Sequence, residues 1–184
     1  MFIIRDEIAA DVVAREALLD ACFGDSRFSK TSERLREGRL PASGLALSAI
    51  SMEDSKLHSK LLGTVRLWHV LAGTRHSALL LGPLAVDPAC QSMGLGGALM
   101  RHAIGTARAL GHDAILLVGD AGYYTRFGFS PAATGALWMP GPFERERFLA
   151  LELTANALSG ARGMIAPAGE FADAAPALPM AQAA

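Results

Sequence analysis

The chain has 184 residues, 51% of them apolar, with 17 Lys and Arg against 18 Asp and Glu for a formal net charge of −1. That suits one domain with a substantial core and lacks the basic excess of a nucleic-acid binder, so no nucleic-acid partner is expected. Cys22 and Cys90 have no metal-ligand spacing and imply neither a disulfide framework nor a metal site.

In chain order, residues 2–5 read as a short strand. Asp6 is placed to cap a helix, with Glu7 in its first turn. Ile8, Val12, Leu18, Leu19 and Cys22 recur at roughly helical spacing until Gly24 stops the pattern. Residues 28–38 are charged, with Thr31 and Ser32 as possible caps, and predict a second short helix. Residues 44–50 predict a strand, and the polar stretch 51–60 a hairpin connection. The stretch 61–71, carrying Val65, Leu67 and Trp68, predicts the next strand. Residues 77–86 predict a central strand, apolar on both faces.

Asp87-Pro88 then turns the chain into a glycine-rich segment at 91–97. Ala98, Leu99, His102, Ala103, Thr106, Ala107 and Leu110 keep a helical repeat that Gly111 ends. Residues 114–118 predict a buried strand and 120–127 a short helix. Phe129 opens another strand, and 148–153 is the last. Past Gly160 the composition turns to Ala, Pro and Gly. The domain is therefore expected to span residues 1–160, with 161–184 a partly mobile tail. Such a tail has few large apolar groups to offset its ordering entropy. No apolar run reaches membrane-spanning length. The first six residues lack a signal-peptide pattern. A cytoplasmic location with reduced thiols, away from membranes, is expected.

A strand, a glycine-rich turn and a helix together make an anion-binding arrangement. Glycines allow close backbone approach, and the helix start offers unpaired N–H groups and a positive dipole end. A diphosphate suits that geometry. Gly94-x-Gly96-Gly97 lacks the third glycine of the dinucleotide fingerprint, and no Lys-Ser/Thr pair follows to make a P-loop.

The stretch from Leu84 to Met100 resembles the acyl-CoA-binding motif of the GNAT superfamily, Gln/Arg-x-x-Gly-x-Gly/Ala after a strand. Gln91, Gly94 and Gly96 stand at its three fixed places. The segment Tyr123-Tyr124-Thr125-Arg126-Phe127-Gly128-Phe129 is similar to the superfamily's Tyr-x-x-x-Gly-Phe element. The lead-in Leu-Gly-Pro-Leu-Ala-Val at 81–86 and the run 119–129 look like the YhbS-like group of predicted acetyltransferases. The strong resemblance covers residues 79–153.

The resemblance implies an α/β fold with a mixed, mostly antiparallel sheet of six or seven strands, splayed in the middle and flanked by helices. It implies an N-acetyltransferase that moves an acetyl group from acetyl-CoA to a primary amine of a small molecule, peptide or protein. A non-catalytic acyl-CoA-binding module is the alternative, and a monomer or homodimer is expected. Acetyl-CoA would be held by Leu84, Ala85 and Val86 along the strand and by Gln91, Ser92, Met93, Gly94, Leu95, Gly96, Gly97 and Ala98 around the turn. Ser92 stands where many relatives carry Arg or Lys, so Arg101 or backbone alone would replace that contact.

Tyr124 matches the tyrosine that protonates the leaving thiolate; a phenol, pKa about 10, holds its proton at neutral pH. Tyr123, one residue away, points elsewhere on a helix and reads as packing. Leu80 occupies the place where some relatives carry a basic Glu. Asp120, Glu33, His76, His69 or a bound water are the candidates left for the general base, and Asp120 could equally be a helix cap. Residues 25–38 and 138–148 would line the acceptor cleft.

Overall fold

The computed structural model describes residues 1–52 and 60–172. Most of the expected hairpin connection, and the last dozen residues expected to be mobile or to pack on a neighbour, lie outside the described residues. The described chain forms eight strands. They are β1 (Phe2–Asp6), β2 (Ala46–Ser51), β3 (Leu61–Ala72), β4 (His76–Val86), β5 (Ala114–Val118), β6 (Leu137–Trp138), β7 (Phe148–Glu152) and β8 (Gly163–Pro167). The α-helices are α1 (Val12–Phe23), α2 (Leu95–Ala109) and α3 (Ala121–Tyr124). No helix among the described residues is long and apolar enough to cross a membrane.

The sheet runs β1-β2-β3-β4-β5-β7, antiparallel except where β4 meets β5. This is the expected α/β architecture, with the strand count raised to eight by the short β6 and β8. β8 lies beyond residue 160, where composition had put the end of the domain. It pairs with β3 at Val70–Ala72 and buries Ile165. Backbone pairing needs no large side chains, so an Ala/Gly-rich composition hides such a strand.

Other expectations shift locally. Residues 28–38 form no α-helix; the segment makes two 3₁₀ turns, Asp25–Ser29 and Glu33–Leu35. Phe129 is buried without opening a strand, and Ser130 makes an isolated bridge to Ala150. Asp6 ends β1 and caps nothing. Asp11 precedes α1 and ties the chain there: its carboxylate accepts the Ile8 N–H at 3.0 Å, the Ser48 hydroxyl at 3.0 Å and both arms of Arg5 at 2.6 and 2.8 Å.

Side chains alternate across a strand, so the long strands feed two cores. On one face Leu47, Val65, Leu67, Leu79, Ile115 and Leu117 meet Leu95, Leu99, Met100 and Ala103 of α2. On the other, Trp68, Val70, Leu80, Leu116 and Phe148 meet Leu35, Leu137, Leu158 and Ile165. Each fully buried leucine contributes roughly 1.5–3 kcal/mol, which anchors α2 firmly beneath the sheet. α1 lays Leu18 and Leu19 on Ile50, Leu61 and Ala85.

Two features of β4 shape the site. β4 and β5 pair only at Leu79↔Ile115 and Leu80↔Leu116. Beyond Leu80 the strands part, which is the expected splay. β4 also bulges: the register to β3 skips between Leu81↔Leu67 and Leu84↔Val65, setting Gly82 and Pro83 against the single Arg66. The buried Trp68 indole donates to the Gly82 carbonyl at 2.6 Å and fixes the bulge.

Candidate active site

The parted strands open onto two adjoining cavities, one of about 580 Å³ and one of about 370 Å³. Tyr123 lines both.

The smaller cavity sits over the start of α2. Val86, Gln91, Ser92, Gly94, Leu95, Gly96 and Gly97, all candidates from the sequence, line it. Gly94 caps the helix at φ +78°, and Ser92 adopts φ +69°, the left-handed region. The Ala98 N–H already bonds the Gly94 carbonyl at 3.0 Å. The first intrahelical bond thus takes up the Ala98 N–H. The donors with no helical partner are those of Gly94, Leu95, Gly96 and Gly97. Met93 is 71% exposed and outside the cavity lining.

Two guanidinium groups border these donors. A Cβ built on Gly97 would come 3.3 Å from Arg101 Nη1, so Arg101 folds back over the helix start. Arg126 lies 4.6 Å from the Tyr123 ring centre and also lines the cavity. Ser92 lines the same cavity as these two arginines.

The edge of β4 links the cavities. Asp87 donates its N–H to Leu62 of β3. Alternation along the strand then turns the backbone groups of Val86 and Leu84 to the opposite, unpaired edge. There the Cys22 thiol meets the Val86 carbonyl at 3.4 Å. Leu84 lines the larger cavity and Ala85 is buried in the core between.

Tyr124 and Asp120 both line the larger cavity. Burial, above all, pushes the Tyr124 phenol up to about 12; Tyr123 and Asp120 add to the rise and Arg147 opposes it. Asp120 caps α3, accepting the Gly122 N–H at 3.0 Å through Oδ1. Oδ2 makes no hydrogen bond among the described residues.

Of the other proton-acceptor candidates, Glu33 lines the cavity with its carboxylate bound to Arg36. His76 bonds the Ser159 carbonyl, and His69 stacks near His112; neither lines this cavity. Leu80 is fully buried in the core. The two segments expected around the acceptor are tied together: Thr31 donates to the Pro142 carbonyl, and Arg34 to that of Pro140 at 2.9 Å.

Two residues escape sequence reasoning. Tyr123 packs against the core as expected, but it also lines both cavities, its hydroxyl 3.0 Å from where a Gly96 Cβ would be. Helix α3 has only four residues and crosses the cleft, so neighbouring tyrosines serve neighbouring cavities; their rings meet edge-on at 5.0 Å. Gly119 makes room for the Tyr124 ring. Only its adjacency to the Tyr-bearing helix was visible beforehand.

Known proteins match this arrangement. The model of the acetyltransferase (GNAT) domain matches residues 50–131, spanning the β4 edge, the α2 turn and Tyr124. The uncharacterized N-acetyltransferase YhbS of Escherichia coli (strain K12) is 29% identical over 164 residues, 89% of this chain and 94% of that protein. The crystal structure of Escherichia coli YhbS in complex with CoA superposes with a TM-score of 0.75 at 30% identity, covering 91% of this chain and 89% of that one. A GNAT family acetyltransferase from Brucella melitensis in complex with acetyl-CoA gives a TM-score of 0.55 at 28% identity, over 82% of this chain and 96% of that one. Sequence, fold and cleft agree, and the chain belongs to the GNAT acetyltransferase family.

Proposed function

We propose that this protein transfers an acetyl group from acetyl-CoA to a primary amine. The observation that carries this reading is one of position. The unpaired edge of β4 leads from an anion-binding turn directly into the cavity that Tyr124 lines. The free N–H groups of Gly94 to Gly97, with Arg101 and Arg126, would hold the diphosphate. Leu84 and Val86 would bond the pantetheine arm through their backbones, as a third strand would. CoA and acetyl-CoA bound to the relatives from Escherichia coli and Brucella melitensis support that assignment.

In the transfer, a bond forms from the amine nitrogen to the acyl carbon and the carbon–sulfur bond breaks. Nitrogen loses one proton and sulfur gains one. The Leu84 N–H, at the fixed bulge, would polarise the thioester carbonyl. Tyr124 would meet the departing sulfur. Its raised pKa keeps the proton in place across the neutral range, and its role begins as a hydrogen-bond donor to developing negative charge. Asp120, on the cavity lining, would take the amine's proton directly or through water.

A second reading, binding without transfer, rests on two observations: Leu80 leaves no carboxylate on the central strand, and Asp120 already serves as a cap. Release of free thiol from acetyl-CoA separates the two. Amine-dependent release is expected. Tight acetyl-CoA binding with no release across a broad amine panel would establish the second reading instead.

A further inference from the structure

The larger cavity carries more positive than negative side chains, and most of its charges are already matched. Arg27 is held by Glu16 and Asp20, Arg36 by Glu33, and Arg66 by Glu7. Two cations on the lining are different. Lys30 has no carboxylate partner among the described residues; its ammonium lies over the Phe23 ring, 4.6 Å from the centre. Among the described residues Arg147 reaches only Glu144, at 3.3 Å, through an exposed contact of the kind that contributes little.

These two cations line the same cavity. Desolvation, then Arg36 and Arg147, push the Lys30 pKa down, so the three positive groups feel each other. The Arg147 backbone is fixed, because its carbonyl accepts the Gly119 N–H at 2.9 Å beside the Tyr124 ring. Like charges gathered at one wall repel unless something negative joins them. At Arg27 and Arg66 the fold supplies carboxylates. At Lys30 it supplies none among the described residues, and at Arg147 only the exposed Glu144. The donor does not need them either, since Arg101 and Arg126 border the separate cavity at the α2 turn.

We infer that the acceptor amine also carries an anionic oxygen group, a carboxylate or a phosphate, which Lys30 and Arg147 hold at the cavity mouth. The planar fork of Arg147 suits two such oxygens, and the Lys30 ammonium adds a point charge. The amine end then reaches inward to the β4 edge. This inference rests on the acetyl-transfer reading above.

The test uses matched amines with the whole chain and thiol release as the readout. β-Alanine is compared with its amide, and aminoethyl phosphate with ethanolamine, at low and high salt. The anionic member of each pair is expected to have a kcat/KM about tenfold or more above its neutral partner, mostly through KM and shrinking with salt. The pair with the larger ratio identifies carboxylate or phosphate. Lys30→Gln and Arg147→Gln should each pull that ratio toward one. Neutral amines turned over as well as anionic ones would overturn the inference and leave acetyl transfer standing, as would ratios unchanged in both variants. If no amine releases thiol, acetyl transfer itself fails. The inference is then judged by the thermal shift that β-alanine and aminoethyl phosphate give the CoA-bound protein, and a shift independent of Lys30 and Arg147 overturns it.

Discussion

The ring of Tyr124 occupies the space that a side chain on Gly119 would need. A Cβ built on Gly119 would lie 2.3 Å from Tyr124 Cε2 and 2.9 Å from Cδ2. The ring is wedged between that glycine, Tyr123 and Phe129, with the last at 6.1 Å edge-on. Gly119→Ala should therefore push the phenol out of the cavity. Overpacking of this kind costs about 1–3 kcal/mol of stability. Turnover should fall at least tenfold while the thermal shift with acetyl-CoA survives, because the α2 turn is untouched. A Gly119→Ala protein with normal kcat would show that the position of the Tyr124 ring is immaterial.

At the other cavity Gly96 is pressed by Tyr123. Gly96→Asp puts a carboxylate among the N–H groups meant for diphosphate and crowds the Tyr123 hydroxyl. Ligand at a hundred times Kd stabilises the folded state by about 2.7 kcal/mol. The substitution should erase that gain, read as a lost thermal shift. An intact shift in a folded Gly96→Asp protein would place the diphosphate elsewhere.

What could be read beforehand follows from the range of the interactions. The α2 turn and helix were legible because Gly94, Gly96 and the apolar repeat behind them act within a few residues of one another. So were β4 and β5, as short, mostly apolar stretches. The role of Tyr123 was hidden because it depends on where a four-residue helix crosses a cleft. The Trp68–Gly82 bond that fixes the bulge was hidden because it spans two strands. β8 was hidden because backbone hydrogen bonds, more than side chains, hold it to β3. Lys30 and Arg147 lie far apart in sequence, and only the fold turns them into one charged wall.

Asp11 ties β1 and β2 to the start of α1. The Arg5 hydrogen bonds, first, hold its carboxyl at about 2, with help from the Ile8 N–H and Ser48 and against the effect of burial. The unfolded value is near 3.9. The native pKa is the lower one, so Asp11 contributes fully above about pH 4. That contribution is lost as pH falls toward about 2. Asp11→Ala leaves Arg5 without its carboxylate and should cost roughly 3 kcal/mol. The mutant's deficit in urea unfolding should shrink as pH is lowered from 5 to 2.5; a deficit that does not change with pH would deny the charge its part.

Tyr124→Phe isolates the chemistry from the packing. The ring remains against Gly119 and Phe129, and only the hydroxyl goes. Acetyl-CoA affinity should hold, since the diphosphate contacts are at the α2 turn. The kcat with a productive amine should drop, by about a hundredfold if general-acid help is of its usual size. A smaller drop is expected if water reaches the sulfur, because a thiolate is already a good leaving group. The loss should sit in kcat far more than in KM for acetyl-CoA. The raised phenol pKa, about 12, adds a pH signature. A tyrosine whose native pKa is raised stays protonated until pH passes that value, so no alkaline loss of rate below about pH 11 should trace to Tyr124. Wild type and Tyr124→Phe should therefore run parallel through that range, offset by a constant factor. Profiles that converge well below pH 11 would mean that the phenol ionises early, and full activity in Tyr124→Phe would remove the hydroxyl from the reaction.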